Sequence, residues 1–394
     1  MTSKTYRKKI LFLLYSMNVG GVEKSFLGLL SAIDLKTYDV HVALVHRRGG
    51  FLSMLPKDVT IHQINCIANN WQALQRPPLQ TLKGMIRTEG VTWKYIKLTL
   101  AYIYSKLYKN NYSWIEALME HESGIDGCFD LAVAYAGPTS DIDYVTCNKV
   151  KAITKAGWIH FDVSKFGIDK GMTIQLYKDY KRIFVVSEAG KDIFDKTFPQ
   201  FRDKTEVFHN IVNTLQVRKL AKTGETFQDG FDGKRILTVG RISPEKGQRV
   251  AIQAFNMILK KTSHLRWYFI GDGRDMNNCK RDAEALGIDD KIVFLGTKTN
   301  PYGYMRDCDI YIQPSRHEGF CITLAEALCF GNPIVATDFT GAKEQLKNRE
   351  NGFVVGMKAE AIAVGIEEAL YVPKINAVSN VENTDIKKLL RLLD

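Results

Sequence analysis

Two glutamates, Glu318 and Glu326, stand in the run Ser315-Arg-His-Glu-Gly-Phe-Cys-Ile-Thr-Leu-Ala-Glu-Ala-Leu328. The run follows an apolar segment, Ile310–Pro314, that reads as a strand. A helix is expected from about Cys321 to near Gly331, with Pro333 opening the next strand. Glu318 then lies in a loop above the helix N-terminus, and Glu326 more than a turn into the helix, so the two carboxylates would serve different ends of one ligand. Glu326 can accept two hydrogen bonds from a ribose diol, and Glu318 would face a sugar. Gly319 and the N–H groups of Phe320, Cys321 and Ile322 would approach phosphate or sugar hydroxyls. Taken alone, the pair also fits a bland reading: a charge on a helix dipole and an exposed helical glutamate.

A second constellation is Gly240-Arg-Ile-Ser-Pro-Glu-Lys-Gly247, between the apolar Arg235–Val239 and the amphipathic Gln248–Leu259. It sets two cations, Arg241 and Lys246, beside a helix start. A diphosphate leaving group gains negative charge as its bond to a sugar breaks, and fixed cations stabilise that charge without a metal. The loop does not match GxxxxGK[ST], so it is not a P-loop. By itself it is equally compatible with two solvated loop charges.

Both constellations need elements to hold them. The pattern of apolar strand, glycine-containing loop and amphipathic helix occurs twice: Ile10–Tyr15, Ser16–Gly21 and Val22–Ile33, then Arg235–Val239, Gly240–Gly247 and Gln248–Leu259. Further strands are expected at Val40–Val45, Leu131–Tyr135, Lys155–Ile159 and Arg182–Ser187 in the first half. In the second half they are expected at Trp267–Ile270, Ile292–Leu295, Ile310–Pro314 and Pro333–Ala336. Continuous apolar strands alternating with helices imply parallel sheets covered on both faces. The expected fold is α/β, with two Rossmann-like domains facing across a cleft: residues 1–212, residues 213–380, and a helix at 381–394 that packs back on the first domain. The Gly-, Asp- and Thr-rich Lys222–Gly233 reads as loop near the boundary.

Residues 66–125 break the alternation and form a helical insertion. Within the helix expected from Thr92 to Tyr108, Trp93, Ile96, Leu100, Ile103 and Leu107 share one face, and Lys94, Lys97, Lys106 and Lys109 lie elsewhere around it. Such a helix can lie on an anionic membrane surface. The alternative is that the apolar face packs on the first domain.

The chain has 394 residues, 54 basic against 43 acidic, for a net charge of +11. That excess suits anionic partners, whether nucleic acid, anionic lipid or nucleotide-sugar phosphates, and does not choose among them. Seven scattered cysteines without a CxxC pair read as reduced cytosolic thiols. Arg7, Lys8 and Lys9 before Ile10–Tyr15 imitate a signal peptide, but the run is short and lacks a small-residue cleavage site, so a buried first strand is expected. No apolar run approaches a membrane span.

With these motifs in place, the sequence resembles the retaining glycosyltransferases of family 4, which have the GT-B fold and an EX7E element. Glu318 and Glu326 have that separation, within EGFCITLAEAL. The resemblance continues through VFHNIVN (207–213), LTVGRISPEKGQ (237–248), FIGDG (269–273), VFLG (293–296), GNPIVATD (331–338) and NGFVV (351–355), with Gly20-Gly21-Val-Glu-Lys near the N-terminus. It covers the second half almost end to end. The first half matches at its opening loop and, more weakly, around Trp158-Ile-His160.

The resemblance implies a nucleotide-sugar donor as co-substrate, with no cofactor and no metal. The base would be uracil by family frequency, with guanine the alternative, and the acceptor a glycan or lipid-linked sugar. Arg241 and Lys246 correspond to the diphosphate-binding cations, Glu326 to the ribose ligand, and Glu318 to the carboxylate beside the donor sugar. Thr297 falls in the stretch that contacts the base. Gly20 and Gly21 occupy the loop whose backbone approaches the donor phosphates or acceptor, and His160 the position of a histidine that faces the donor sugar. The implied setting is cytoplasmic, at the inner face of the cell membrane, in polysaccharide or glycolipid assembly, with no nucleic-acid partner.

Two DxD runs, Asp141-Ile-Asp143 and Asp307-Cys-Asp309, are set aside as metal sites. Asp141 reads as lying in an ordinary loop, and Asp309 as starting a buried strand. Gly271-Asp-Gly273 lacks the third glycine of a dinucleotide fingerprint, and the histidines show no zinc spacing. The competing readings are a sugar-nucleotide epimerase or hydrolase of the same fold, and a non-enzymatic basic scaffold for membrane or nucleic acid.

Overall fold

The computed structural model describes residues 6–165, 167–347, 349–376 and 384–394. The chain forms two compact units. The first comprises residues through Val186, Gly190–His209 and Thr384–Asp394, and the second Ser187–Ala189 and Asn210–Asn383. The expected join between 380 and 381 falls outside the described residues.

The first unit carries a seven-stranded sheet built from β1 (Lys9–Leu14), β2 (Asp39–Leu44), β3 (Thr60–Gln63), β4 (Ile125–Ala134), β5 (Val150–Ile159), β6 (Arg182–Val185) and β7 (Thr205–Val207). All pairings are parallel, in the order β3-β2-β1-β4-β5-β6-β7. The second unit has a six-stranded parallel sheet of β8 (Lys234–Val239), β9 (Leu265–Ile270), β10 (Ile292–Phe294), β11 (Ile310–Gln313), β12 (Ile334–Thr337) and β13 (Gly352–Val355). Its order is β10-β9-β8-β11-β12-β13. Strand order thus reverses between β1 and β4 in one unit and between β8 and β11 in the other. Those are the switch points where open α/β sheets leave a crevice at the carboxyl ends of the strands.

Burial on both faces explains the apolar runs. In the second unit Leu237, Val239, Tyr268 and Tyr311 join one core cluster, while Ile236, Trp267, Ile310 and Ile312 join another. Three strands escape the sequence reading. β3 and β7 are short edge strands of mixed polarity, and β13 lies in a segment noticed only as a motif.

Among the described residues between 65 and 119 the insertion carries five helices and no strand. Its longest helix runs Trp93–Tyr108, with the Thr92 side chain capping Tyr95 N. Of the two readings of its apolar stripe, packing on the first domain is not what forms. Leu98 and Ser105 are the buried positions, and Trp93, Ile96, Leu100, Ile103 and Leu107 are exposed. Tyr95 and Tyr102 join the core instead, so the helix has two apolar faces and buries the one that carries Tyr95, Leu98 and Tyr102.

Asp141 is also not in a loop. It lies in the first turn of the helix Ser140–Asn148, buried together with Asp143. Asp143 accepts hydrogen bonds from the Tyr180 hydroxyl at 2.6 Å, the Thr139 N–H at 2.9 Å and the Tyr177 hydroxyl at 3.2 Å. Burial nonetheless pushes its carboxyl up to about 7. The unfolded chain releases this proton near pH 4, while the native state keeps it until about pH 7. The native state therefore loses relative stability as pH rises through that window, by at most about 4 kcal/mol. In thermal melts Asp143→Asn should gain on the wild type between pH 4 and pH 7. A pH-independent difference would contradict the buried proton.

Candidate active site

In the second unit, four loops gather at the carboxyl ends of β8, β9, β10 and β11. The loop after β8 contains a short 3-10 turn, Pro244–Lys246, and then Gly247 as N-cap of the helix Gln248–Leu259. Gly247 has φ +73°, and a Cβ there would lie 2.0 Å from the Pro314 carbonyl oxygen. The glycine is thus required twice: for the left-handed turn, and to let the β8 loop touch the end of β11. Gly247→Ala should destabilise the protein by more than ~2 kcal/mol in denaturant unfolding; wild-type stability would show that this contact does not hold the loop.

The FIGDG motif serves the same loop. A Cβ on Gly271 would sit 2.0 Å from the Gly240 oxygen, and one on Gly273 2.2 Å from the Ile242 oxygen. Ile242 N donates to the Asp272 carbonyl at 3.0 Å, and Gly271 N donates to the Gly296 carbonyl at 2.8 Å. The exposed Thr297 therefore begins the next loop along the same rim.

Lys246 and Glu318, 72 positions apart, form an ion pair with side chains 23% and 10% exposed. Burial opposes the ammonium charge, but the Glu318 carboxylate outweighs it and holds the lysine pKa above its ordinary value. Arg241 is exposed and acts on Lys246 as a neighbouring cation. Among the described residues it makes no ion pair. The Glu318 carboxylate is anchored from behind: the Ser315 hydroxyl donates to its Oε1 at 2.8 Å. The Gln313 amide donates to the Ser315 hydroxyl at 2.8 Å, and Gln313 Oε1 accepts from the Tyr311 hydroxyl at 2.8 Å. Thr337, within GNPIVATD, donates to the Ser315 carbonyl at 2.5 Å. A chain of satisfied buried polar groups thus fixes the loop carboxylate.

The helix after this loop begins at Ile322 and gives way after Ala327 to a 3-10 turn, Leu328–Phe330, capped by Gly331. Its N-cap, Cys321, has φ +68°, rare for a side-chain-bearing residue and a form of strain that gathers at functional sites. Burial raises the Cys321 thiol far above its ordinary pKa, so it is not a reactive thiolate. Phe320, Cys321 and Ile322 are buried, and Gly319 is half-buried. Glu326 is only 2% exposed and accepts a hydrogen bond from the Tyr302 hydroxyl at 2.6 Å.

The sequence offers no hint of Tyr302, which lies in a separate short helix, Tyr302–Asp307. Ser315 and Gln313 carry a usable signal: polar side chains that continue an apolar strand must find partners when buried.

The other candidates belong to the first unit. Gly20 is the N-cap of the helix Gly21–Ala32, where a Cβ would come within 2.5 Å of the Glu23 carboxylate; a Cβ on Gly21 would meet nothing within 4 Å. His160 follows β5, and its Nε2–H donates to the Tyr135 carbonyl at 2.7 Å. Burial lowers its pKa to about 4 against that bond, so the ring is neutral near pH 7 and Nδ1 is the acceptor nitrogen. His209, in VFHNIVN, is structural: its backbone N–H and ring Nδ1 both contact Asp385 Oδ2, at 2.8 and 3.0 Å. Among the described residues no cluster of three or more His, Cys, Asp or Glu is placed to hold a metal ion.

Residues 225–381 match the family model described as glycosyl transferases group 1. An uncharacterized glycosyltransferase of Haemophilus influenzae is 30% identical over 177 residues, covering 44% of this chain and 46% of that protein. The chain thus spans about half the length of the first curated relatives it matches. A Campylobacter jejuni protein, N-acetylgalactosamine-N,N'-diacetylbacillosaminyl-diphospho-undecaprenol 4-alpha-N-acetylgalactosaminyltransferase, is 24% identical over 90% of this chain and 87% of its own. Among solved structures, Anabaena HepE in complex with UDP-glucose superposes with a TM-score of 0.63 at 19% identity, covering 92% of this chain and 90% of that one. A glycosyltransferase from Rickettsia africae gives 0.67 at 18% identity, with 98% of both chains covered. The fold is that of GT-B glycosyltransferases.

Proposed function

We propose that the protein is a metal-independent, retaining glycosyltransferase that moves a hexose-type sugar from a nucleotide diphosphate donor, UDP-linked in our reading, to a glycan or lipid-linked acceptor. The observation that carries this reading is the Lys246–Glu318 pair at the β8/β11 switch point, with Arg241 beside it and the helix Gln248–Leu259 starting next to it. When the bond from the anomeric carbon to the diphosphate breaks, negative charge grows on the leaving phosphate. Arg241, Lys246 and the N–H groups of the helix start are prepaid stabilisers of that charge. Glu326 takes the ribose hydroxyls, Glu318 positions the sugar and steadies its developing positive charge, and Thr297 borders the base. Gly319 to Ile322 supply backbone N–H groups toward phosphate or sugar. In the first unit, Gly20 and Gly21 are assigned to backbone approach to phosphate or acceptor, and His160, through its acceptor nitrogen, to a donor-sugar hydroxyl.

The UDP and UDP-glucose complexes of the Anabaena neighbour support the choice of base, and the Campylobacter relative's diphospho-undecaprenol acceptor supports a lipid-linked one. With these comes a setting in surface polysaccharide or glycolipid assembly at the cytoplasmic face of the cell membrane. The test is a panel of UDP- and GDP-sugars assayed with and without EDTA. One UDP-sugar should release UDP at an undiminished rate in the chelator, in an acceptor-dependent manner. Loss of activity restored by Mn²⁺ refutes metal independence, and acceptor-independent turnover favours an epimerase or hydrolase.

A further inference from the structure

Ten of the 21 large apolar side chains that stand exposed among the described residues fall between Leu79 and Tyr108. On the helix Trp93–Tyr108 they form a stripe along the side opposite the buried Leu98 and Ser105, with Trp93 79%, Leu100 62% and Leu107 74% exposed. A surface helix is ordinarily polar on the side away from its core, and a contiguous exposed apolar patch marks a contact surface. The preceding helix, Pro78–Glu89, adds Leu79 and Ile86, one above the other at a spacing of two turns.

The charge around this stripe selects what covers it. Between residues 76 and 109 the chain carries seven Lys or Arg and one acidic residue, Glu89. Lys97 is paired with Glu120, but Lys94, Lys106 and Lys109 are exposed and make no ion pair among the described residues. At 100° per residue Lys94 and Lys106 fall on the two flanks of the stripe. A second copy of the same surface would bring these cations against one another across a twofold contact, which opposes self-association. A lipid leaflet with anionic headgroups satisfies both features, taking the apolar ridge among its acyl chains and the flanking ammonium groups at its phosphates. A helix of 16 residues extends only about 24 Å, and among the described residues no helix is long and apolar enough to cross a membrane.

We propose that the outward face of the helices Pro78–Glu89 and Trp93–Tyr108 is an in-plane docking surface for an anionic bilayer, with Trp93, Leu100 and Leu107 inserted and Lys94, Lys106 and Lys109 at the headgroups. This specifies the surface that serves the membrane setting proposed above, yet it rests on the first unit alone, so it stands or falls separately from the donor assignment. The test is co-sedimentation of the full chain with phosphatidylcholine vesicles, with and without phosphatidylglycerol, alongside a thermal shift with UDP. The wild type should partition onto the phosphatidylglycerol vesicles and lose binding with salt. Leu100→Glu with Leu107→Glu should weaken partitioning by at least about tenfold, and Lys94→Gln with Lys106→Gln and Lys109→Gln should flatten its salt dependence. Each of these positions is exposed, so the UDP shift should persist in both variants and certify their folding. Wild-type partitioning by the double glutamate variant, no preference for anionic vesicles, or a wild-type dimer that the glutamates dissolve would each overturn the proposal. Vesicle binding without any UDP shift would instead sink the donor reading alone.

Discussion

Replacing Lys246 by methionine lowers kcat/KM for sugar transfer by about 10²–10³-fold, the usual loss when one preorganised stabiliser of a developing anion is removed. The expectation follows from its setting. Its ammonium is largely buried and held charged by Glu318, so it is already in place before charge develops on the leaving group. The same substitution strands Glu318, which is 10% exposed, without its cation, so the unliganded protein should also lose roughly 2 kcal/mol of stability. The two effects separate in a cycle. Adding Glu318→Gln to Lys246→Met should return most of the stability and none of the transfer. Recovery of activity in the double variant would mean that Lys246 serves only to neutralise Glu318.

The second large effect concerns the ribose. Glu326→Gln should raise the donor KM by about 10–100-fold, because a buried site built around hydroxyl donors loses an acceptor and gains an amide N–H that faces them. With a 2′,3′-dideoxyribose donor the gap between wild type and variant should largely close, since both bonds at issue are then missing in each. Tyr302→Phe should show a smaller loss with the same deoxy-sensitivity. Its hydroxyl donates to Glu326 at 2.6 Å, so its loss should leave that carboxylate less well oriented. Equal losses on ribose and dideoxyribose donors would make Glu326 a structural carboxylate.

The sequence made the candidate site of the second unit legible because its residues are grouped locally. Gly240–Gly247 and Ser315–Leu328 each lie within a single strand–loop–helix turn, and apolar periodicity located both. The structure adds the contact between them: Lys246 and Glu318 are distant in sequence and meet because β8 and β11 are neighbours in the sheet. Pairing of that kind leaves no local trace. The same holds for Tyr302, whose partner Glu326 lies on another element, and for β3 and β7, whose edge positions leave them too short and polar to read. Asp141 reads as a loop residue because its helix opens on polar residues, whereas the fold buries it against the Tyr15 hydroxyl. On the insertion helix the periodicity found a genuine stripe but not its direction. Two apolar faces compete there, and the one with Tyr95, Leu98 and Tyr102 packs inward.

Titration calorimetry with UDP and UMP, on the wild type and on Arg241→Ala with Lys246→Ala, tests the central claim most directly. If Arg241 and Lys246 hold the donor diphosphate, the wild type binds UDP at least about tenfold more tightly than UMP, as two charge-assisted contacts to the second phosphate require, and the double variant loses that preference. An undiminished preference for UDP in the double variant would contradict the assignment of the diphosphate to this loop.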